Sequence, residues 1–292
     1  SFLNSLKANV PSRSKSNVKH HYDLSPELYS LFLDVDKQYS CAYFNNADDT
    51  LEKAQEQKKH HIAKKLSLRP GMTVLDIGSG WGGMAITLAK DYQVSVLGIT
   101  LSEEQQKISQ QRALDEGLEG KVEFKLLDYR EDLGVFDRIV SVGMFEHVGV
   151  PNYEEYFRSI RNKLTPGGLA LVHTIGRITP PGATSPWIKK YIFPGGYIPA
   201  LSEMVSAVEK NYLYISDVEI LRMHYAMTLN HWHQRFTENE ERIKEIYDER
   251  FCRMWRYYLV ASEISFRYFQ QVVFQVQISK DQMTLPLTRD YL

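Results

Sequence analysis

The sequence predicts an α/β protein built on a mostly parallel sheet with helices on both faces. Three observations carry this. From residue 73 onward, short apolar runs at 73–77, 94–99, 122–127, 137–142 and 169–175 alternate with helical periodicity at 82–91, 102–117 and 152–164. Such alternation requires a parallel sheet covered on both sides. The first strand runs straight into Gly78-Ser79-Gly80-Trp81-Gly82, followed by Met84, Ala85, Leu88 and Ala89 at helical spacing. The punctuation agrees: Ser102-Glu103-Glu104-Gln105 has the form of a capping box, and Pro166-Gly167-Gly168 marks a helix-to-strand turn.

Taken in order, residues 1–20 carry Lys7, Arg13, Lys15 and Lys19 and no acid. They read as a basic linker, or as a tether near anionic lipid. After His20-His21-Tyr22-Asp23-Leu24, Ser25 at the N-cap and Pro26 at the first helical position open a short helix. Leu28, Leu31 and Phe32 share one of its faces. Residues 38–44 are aromatic, polar and aperiodic, and are placed on a loop. Thr50 caps a helix over 51–67, with apolar residues at 51, 54, 62 and 66 and lysines opposite. Beyond the alternating unit, residues 177–201 hold Pro180-Pro181-Gly182 and Pro194-Gly195-Gly196. This stretch is too broken for one element and too aromatic for a linker, and is read as a lid inserted in a single domain over 21–292. Residues 214–223 and 271–279 alternate apolar and polar and supply two last strands, making seven. Aromatic helices over 224–237 and 239–268 lie between them.

Composition narrows the function classes. The 292 residues suffice for a substantial core, and 43% hydrophobic with 24% charged residues is ordinary for a globular chain. A net charge of −1 by itself says nothing of nucleic acid or membrane; no nucleic-acid partner is expected. No run of 18 apolar residues spans a bilayer, and no apolar segment near the start resembles a secretory signal. Two cysteines, Cys41 and Cys252, make neither a disulfide framework nor a zinc cluster, which points to the cytoplasm. The chain opens on Ser1 rather than methionine, as a trimmed piece of a longer protein would.

The glycine turn is the chemical centre. Its glycines let backbone and ligand approach closely, and the following helix start offers free N–H groups. A dinucleotide fold would also want Gly-x-Gly-x-x-Gly and an acid about 20 residues on. The next strand instead ends Gly98-Ile99-Thr100-Leu101-Ser102. The stretch from Asp76 through Gly78, Ser79 and Gly80 resembles the nucleoside-binding loop of class I S-adenosylmethionine (SAM) methyltransferases.

The resemblance sharpens along the chain. Tyr39-Ser40-Cys41-Ala42-Tyr43-Phe44, the glycine turn, Thr100-Leu101-Ser102, Phe145-Glu146-His147, His173-Thr174-Ile175-Gly176, Phe193-Pro194-Gly195-Gly196 and His224-Tyr225 occur in this order. Together they are similar to the cyclopropane-fatty-acid synthase family, including the mycolic acid cyclopropane synthases, from about His20 to the C-terminus. Many members carry a further N-terminal domain, which this chain is expected to lack. The resemblance implies a Rossmann-like, class I SAM-methyltransferase fold. It also implies addition of the SAM methyl carbon across a cis double bond of a phospholipid acyl chain, with bound bicarbonate as the base that lets the ring close.

The same resemblance assigns residues. Glu146 would accept the bicarbonate hydroxyl, His173 and the N–H groups of Cys41 and Ile175 would hold its oxygens, and Tyr225 would donate a hydrogen bond and face the cation. For SAM, Gly78 and Gly80 pass beneath the methionine part and ribose, and Thr100, Leu101 and Gln105 contact ribose or carboxylate. Asp128 accepts from the adenine amine with Tyr129 and Arg130 beside it, and Tyr39 and Ser40 close over the cofactor. Plainer readings stand beside these: Cys41 as a small buried hydrophobe, His173 as a structural histidine, Glu146 as a helix cap near Pro151, Tyr225 as helix packing, and Gln105 as the capping-box partner of Ser102. Ser79 and Ser262 stand where some relatives have cysteine, so the chemistry cannot need a thiol at Ser262. Cys252 is read as core.

His231-Trp232-His233 places its histidines on different helix faces, and no metal site is expected. A lipid substrate implies peripheral contact with the inner face of a membrane, and a homodimer is allowed. Contact candidates are the basic N-terminus, the lysines at 58–65, and Lys189-Lys190 beside Trp187, Tyr191, Ile192 and Phe193. Trp255, Tyr257, Tyr258, Phe266, Tyr268 and Phe269 line an acyl tunnel or fill ordinary core. Methylation of an acyl chain without ring closure, small-molecule N-methylation and a silent SAM-binding module remain as rivals.

Overall fold

The computed structural model describes residues 24–292, so the basic stretch 1–20 and the His20-His21 pair lie outside the described residues. The first described helix, α1 (Pro26–Phe32), starts where Ser25 accepts from the Glu27 N–H, and α2 (Leu51–Lys65) starts where Thr50 accepts from the Lys53 N–H. Leu51, Ala54, Ile62 and Leu66 are all fully buried, as their spacing requires. The lysines of α2 form only part of the solvated face expected of them: Lys53 and Lys64 are exposed, whereas Lys58 and Lys65 are fully buried and Lys59 pairs with Asp36.

The sheet is assembled from β1 (Thr73–Ile77), β2 (Ser95–Thr100), β3 (Val122–Leu126), β4 (Phe136–Val142), β5 (Leu164–Arg177), β6 (Tyr214–Leu221) and β7 (Gln271–Ser279). Its order is β3-β2-β1-β4-β5-β7-β6. The first five run parallel, and β7 lies antiparallel between β5 and β6. This is the mostly parallel seven-stranded sheet of the class I SAM-methyltransferase fold. The turn expected at Pro166-Gly167-Gly168 is instead absorbed into β5. The pairing with β4 jumps from Phe136↔Leu164 to Arg138↔Leu169, and Gly167 takes a φ of +69° within that bulge.

Helices α3 (Gly83–Tyr92), α4 (Glu103–Asp115), α5 (Tyr153–Lys163), α6 (Pro186–Tyr191) and α7 (Leu201–Lys210) lie between the strands in sequence; α8 (His224–Glu238), α9 (Glu240–Ile246) and α10 (Glu249–Tyr268) form the C-terminal part. The single helix expected over 239–268 is two. It breaks at Tyr247-Asp248, and Asp248 restarts it by accepting from the Phe251 N–H at 2.7 Å. Apolar clusters fill both faces of the sheet. A third, aromatic cluster joins α1, the 39–44 loop, α8 and α10 to Trp81 of the glycine turn. Phe32 and Tyr39 pack edge-on or tilted on Trp232, at 6.1 and 5.2 Å between ring centres. This helical layer therefore closes over the strand ends where open α/β sheets hold their ligands, at the β1–β4 switch point.

Candidate active site

β1 and β4 are adjacent and parallel, so the Gly78 turn and Gly143 leave the sheet side by side. Gly78 has a φ of +81°, and a Cβ there would stand 3.0 Å from the Cβ of Met144. Gly80, at φ +54°, faces open space. The turn is thus both left-handed and closely approached, which only glycine combines without strain. The Gly78 and Ser79 N–H groups donate to the Ile99 carbonyl at 2.9 and 3.0 Å and pin the turn to β2.

Beyond this turn lies a cavity of about 160 Å³. Tyr39, Ser40, Asp76, Gly78, Ser79, Gly80, Thr100, Leu101, Gln105, Asp128, Tyr129 and Arg130 all line it. Two of its groups await partners. Asp76 is 2% exposed, its Oδ2 is buried without a hydrogen bond, and burial pushes its carboxyl up to about 7. Gln105 accepts from the Thr100 hydroxyl at 3.0 Å, leaving its buried Nε2 without a partner. Only half of the expected capping box forms. The Gln105 N–H donates to Ser102, but the Gln105 side chain turns to Thr100 because that hydroxyl lies beneath the helix start. Asp128 is already gripped by Arg130, whose Nε and Nη2 donate to its two oxygens at 2.7 Å, with the guanidinium 5.1 Å from the Tyr129 ring centre. An orphaned acceptor, an orphaned donor and a glycine cradle fit a polar nucleoside–amino acid such as SAM.

A second cavity, of about 320 Å³, meets the first at a wall made by Tyr39, Ser40, Gly143 and His147. Cys41, Glu146, His173, Ile175 and Tyr225 line it. They come from four separate segments of the chain, His173 and Ile175 sharing β5. Glu146 sits in a one-turn helix after β4 and accepts from the Ile175 N–H at 2.7 Å. Its Oε2 is buried without a hydrogen bond, and burial raises its carboxyl to about 7 against the pull of that N–H. The Ile175 N–H, expected to hold an anion, is therefore spent on positioning Glu146. Nor does Glu146 cap a helix.

His173 is 2% exposed, and burial holds its imidazole well below its ordinary pKa, hence neutral. Its Nδ1 meets Gln275 Nε2 at 3.1 Å, on the facing residue of β7. That amide, donating, selects the tautomer with Nε2–H as donor. Burial also raises the Cys41 thiol far above its usual range, leaving it a neutral small group. Tyr225 is wedged against Phe266 at 4.7 Å and Trp232 at 5.8 Å.

Three contributors escape sequence reasoning. His147 lines both cavities, and burial lowers its imidazole to about 4; its place beside Glu146 was the available signal. Lys58 donates to Gln38 Oε1 at 2.6 Å and Ser40 Oγ at 2.9 Å from beneath the loop. Gln275 orients His173. Nothing local marks Lys58 or Gln275. The aromatic C-terminal third divides: Tyr257, Tyr258 and Phe266 line the second cavity, Trp255 is core, and Tyr268 and Phe269 are exposed. Cys252 is core. Among the described residues no three His, Cys, Asp or Glu side chains group as metal ligands, and no helix is long and apolar enough to cross a membrane.

Comparison with known proteins agrees with this arrangement. Residues 10–276 match the family model for mycolic acid cyclopropane synthetase. The chain is 45% identical over 274 residues to the cyclopropane-fatty-acyl-phospholipid synthase of Escherichia coli K12, covering 93% of this chain and 70% of that protein. It is 42% identical over 257 residues to a probable fatty acid methyltransferase of Pseudomonas putida, covering 85% of this chain and 65% of that protein. Among solved structures, the mycolic acid cyclopropane synthase CmaA1 complexed with SAH and CTAB superposes with a TM-score of 0.86 at 33% identity, over 91% of this chain and 98% of that one. Two joined cavities on this sheet, carrying the ordered segments of that family, place the chain in the mycolic acid cyclopropane synthetase family of SAM-dependent methyltransferases.

Proposed function

We propose that this protein transfers the methyl carbon of SAM across a cis double bond of a phospholipid acyl chain and closes a cyclopropane ring, with bicarbonate as base. The observation that carries this reading is the second cavity: a largely apolar chamber joined to the glycine-turn cavity, with one buried carboxyl and two neutral imidazoles, His147 and His173, in its wall. SAM, when bound, supplies the electrophilic methyl. An alkene is a weak nucleophile, so the protein's task is to hold the two within reach and exclude water. The glycine turn, Asp76 and Gln105 bind the SAM side, and Tyr39, Ser40 and His147 form the wall through which the two sites communicate.

Methyl addition leaves positive charge on the acyl chain, and closure requires loss of a proton from the new methyl. The chain's own groups suit a bicarbonate that receives it. Glu146 Oε2 is an acceptor for the bicarbonate hydroxyl, and the neutral His173 is a donor to its oxygens. The Cys41 N–H is a second donor by family resemblance, and Tyr225 offers a hydroxyl and a ring face to the cation. The lipid reaches this chamber through peripheral contact with a membrane, under the 177–201 lid.

Methylation without ring closure is the second reading, favoured by the likeness to a probable fatty acid methyltransferase. Phospholipid vesicles with cis-unsaturated chains, incubated with the protein, SAM and bicarbonate, separate the two by mass spectrometry. Gain of one CH₂ with loss of the olefin is the expected result. Gain of CH₂ with the olefin retained assigns methylation, and no gain at all refutes both.

A further inference from the structure

Arg177 is the last residue of β5, on the same strand face as His173 and Ile175, and like them it lines the second cavity. Two residues of strand carry it about 7 Å beyond Ile175, away from Glu146. Among the described residues Arg177 makes no ion pair. Its Nε donates to the Ile198 carbonyl at 3.1 Å, which fixes the guanidinium plane, and its Nη1 packs against Gly182. Glu203 of α7 is occupied by the Tyr197 hydroxyl at 2.9 Å and the Ala200 N–H at 2.8 Å.

Two further polar groups line the same chamber. Gln271 faces Arg177 directly in the antiparallel β5–β7 pair and lines the same cavity. Thr184, on the lid, also lines it; it is only 7% exposed and its hydroxyl is buried without a partner. A guanidinium, an amide and an orphaned hydroxyl in the wall of one chamber are a donor set suited to an oxyanion. The surface beside it is apolar: Ile178, Tyr268 and Phe269 are 59%, 73% and 69% exposed, and the Ile178 N–H bonds the Gln270 carbonyl. Charge at the rim with aromatics outside it matches a bilayer interface.

We propose that Arg177, Gln271 and Thr184 bind the phosphate diester of the lipid substrate, and that the Arg177 end of the chamber is its membrane-facing mouth. This rests on the reading of the substrate as a phospholipid. The phosphate anchors one end, the acyl chain runs inward along β5, and the distance from Arg177 to Glu146 sets which carbon pair meets the methyl donor.

The test combines binding and turnover. By calorimetry, wild-type protein binds dihexanoyl phosphatidylglycerol at least about tenfold more tightly than dihexanoylglycerol, and Arg177→Gln removes that preference while Arg177→Lys restores part of it. Inorganic phosphate and glycerol 3-phosphate, titrated alone, bind far more weakly than the lipid. In nonionic micelles, Arg177→Gln lowers kcat/KM for dioleoyl phosphatidylglycerol about tenfold more than for dioleoylglycerol, the loss falling mainly on KM. Equal loss on lipids with and without phosphate would make Arg177 structural and overturn the proposal. Free phosphate binding as tightly as the diester would overturn the lipid assignment. Selective binding without any turnover by the wild type would uphold the phosphate site and refute the proposed reaction instead.

Discussion

Glu146 and Asp76 are both carboxyls raised to about 7 by burial, each with one oxygen lacking a partner, one in each cavity. For Glu146 the sign is definite. A folded-state value above the ordinary 4.5 means the native protein holds this proton more tightly than the unfolded chain. Its contribution to stability is therefore full below about pH 4.5 and is lost as pH rises to about 7. At pH 8 the ionised carboxyl is a buried liability. Glu146→Gln, whose amide oxygen still accepts from the Ile175 N–H, should then raise stability by about 1–3 kcal/mol in urea unfolding. The same substitution should cut ring formation about a hundredfold, because an amide cannot serve as the anionic acceptor. In the wild type, the single-turnover rate at saturating bicarbonate should climb across about pH 7 as Glu146 ionises. Glu146→Gln should show no such rise.

At the scale of elements, two loops carry the SAM site, and each has a distinct anchor. The glycine turn depends on backbone freedom. Gly78→Ala meets both a φ of +81° and Met144 at 3.0 Å, and should cost about 1–2 kcal/mol and weaken SAM binding. Gly80→Ala, with open space around it, should cost stability but clash with nothing. Paired urea and calorimetric titrations distinguish the two. The 38–44 loop depends instead on Lys58, which is fully buried and pushed down to about 8 by that burial. Its ammonium holds Gln38 and Ser40 from below. Lys58→Met removes this grip, and SAM affinity should fall about tenfold with the helical circular dichroism unchanged.

For the molecule as a whole, strand ends of the sheet line both cavities, and α8 and α10 of the aromatic layer close the second. Trp232 is fully buried and packs on Phe32, Tyr39 and Tyr225 at once, so it couples this layer to residues of both cavities. Trp232→Ala should cost about 3–5 kcal/mol. It should also lower turnover more than SAM affinity, since the acyl chamber borrows Tyr225 and Phe266 from that layer. Product analysis beside equilibrium unfolding checks both halves.

The sequence by itself determined the alternation of strands and helices, the glycine turn and the two final strands, because periodicity, caps and turn chemistry act over a few residues. Likeness to a known family also named twelve residues that line the SAM-side cavity, from Tyr39 to Arg130, but not His147. Only the tertiary structure decided that Lys58 and Lys65 are buried rather than solvated, that Gln105 turns from its cap to Thr100, and that the Ile175 N–H serves Glu146. It alone placed Gln271 opposite Arg177 and Gln275 opposite His173. Desolvation and hydrogen-bond choice depend on groups that the chain brings together from a hundred residues apart, and no local pattern encodes which of them will arrive.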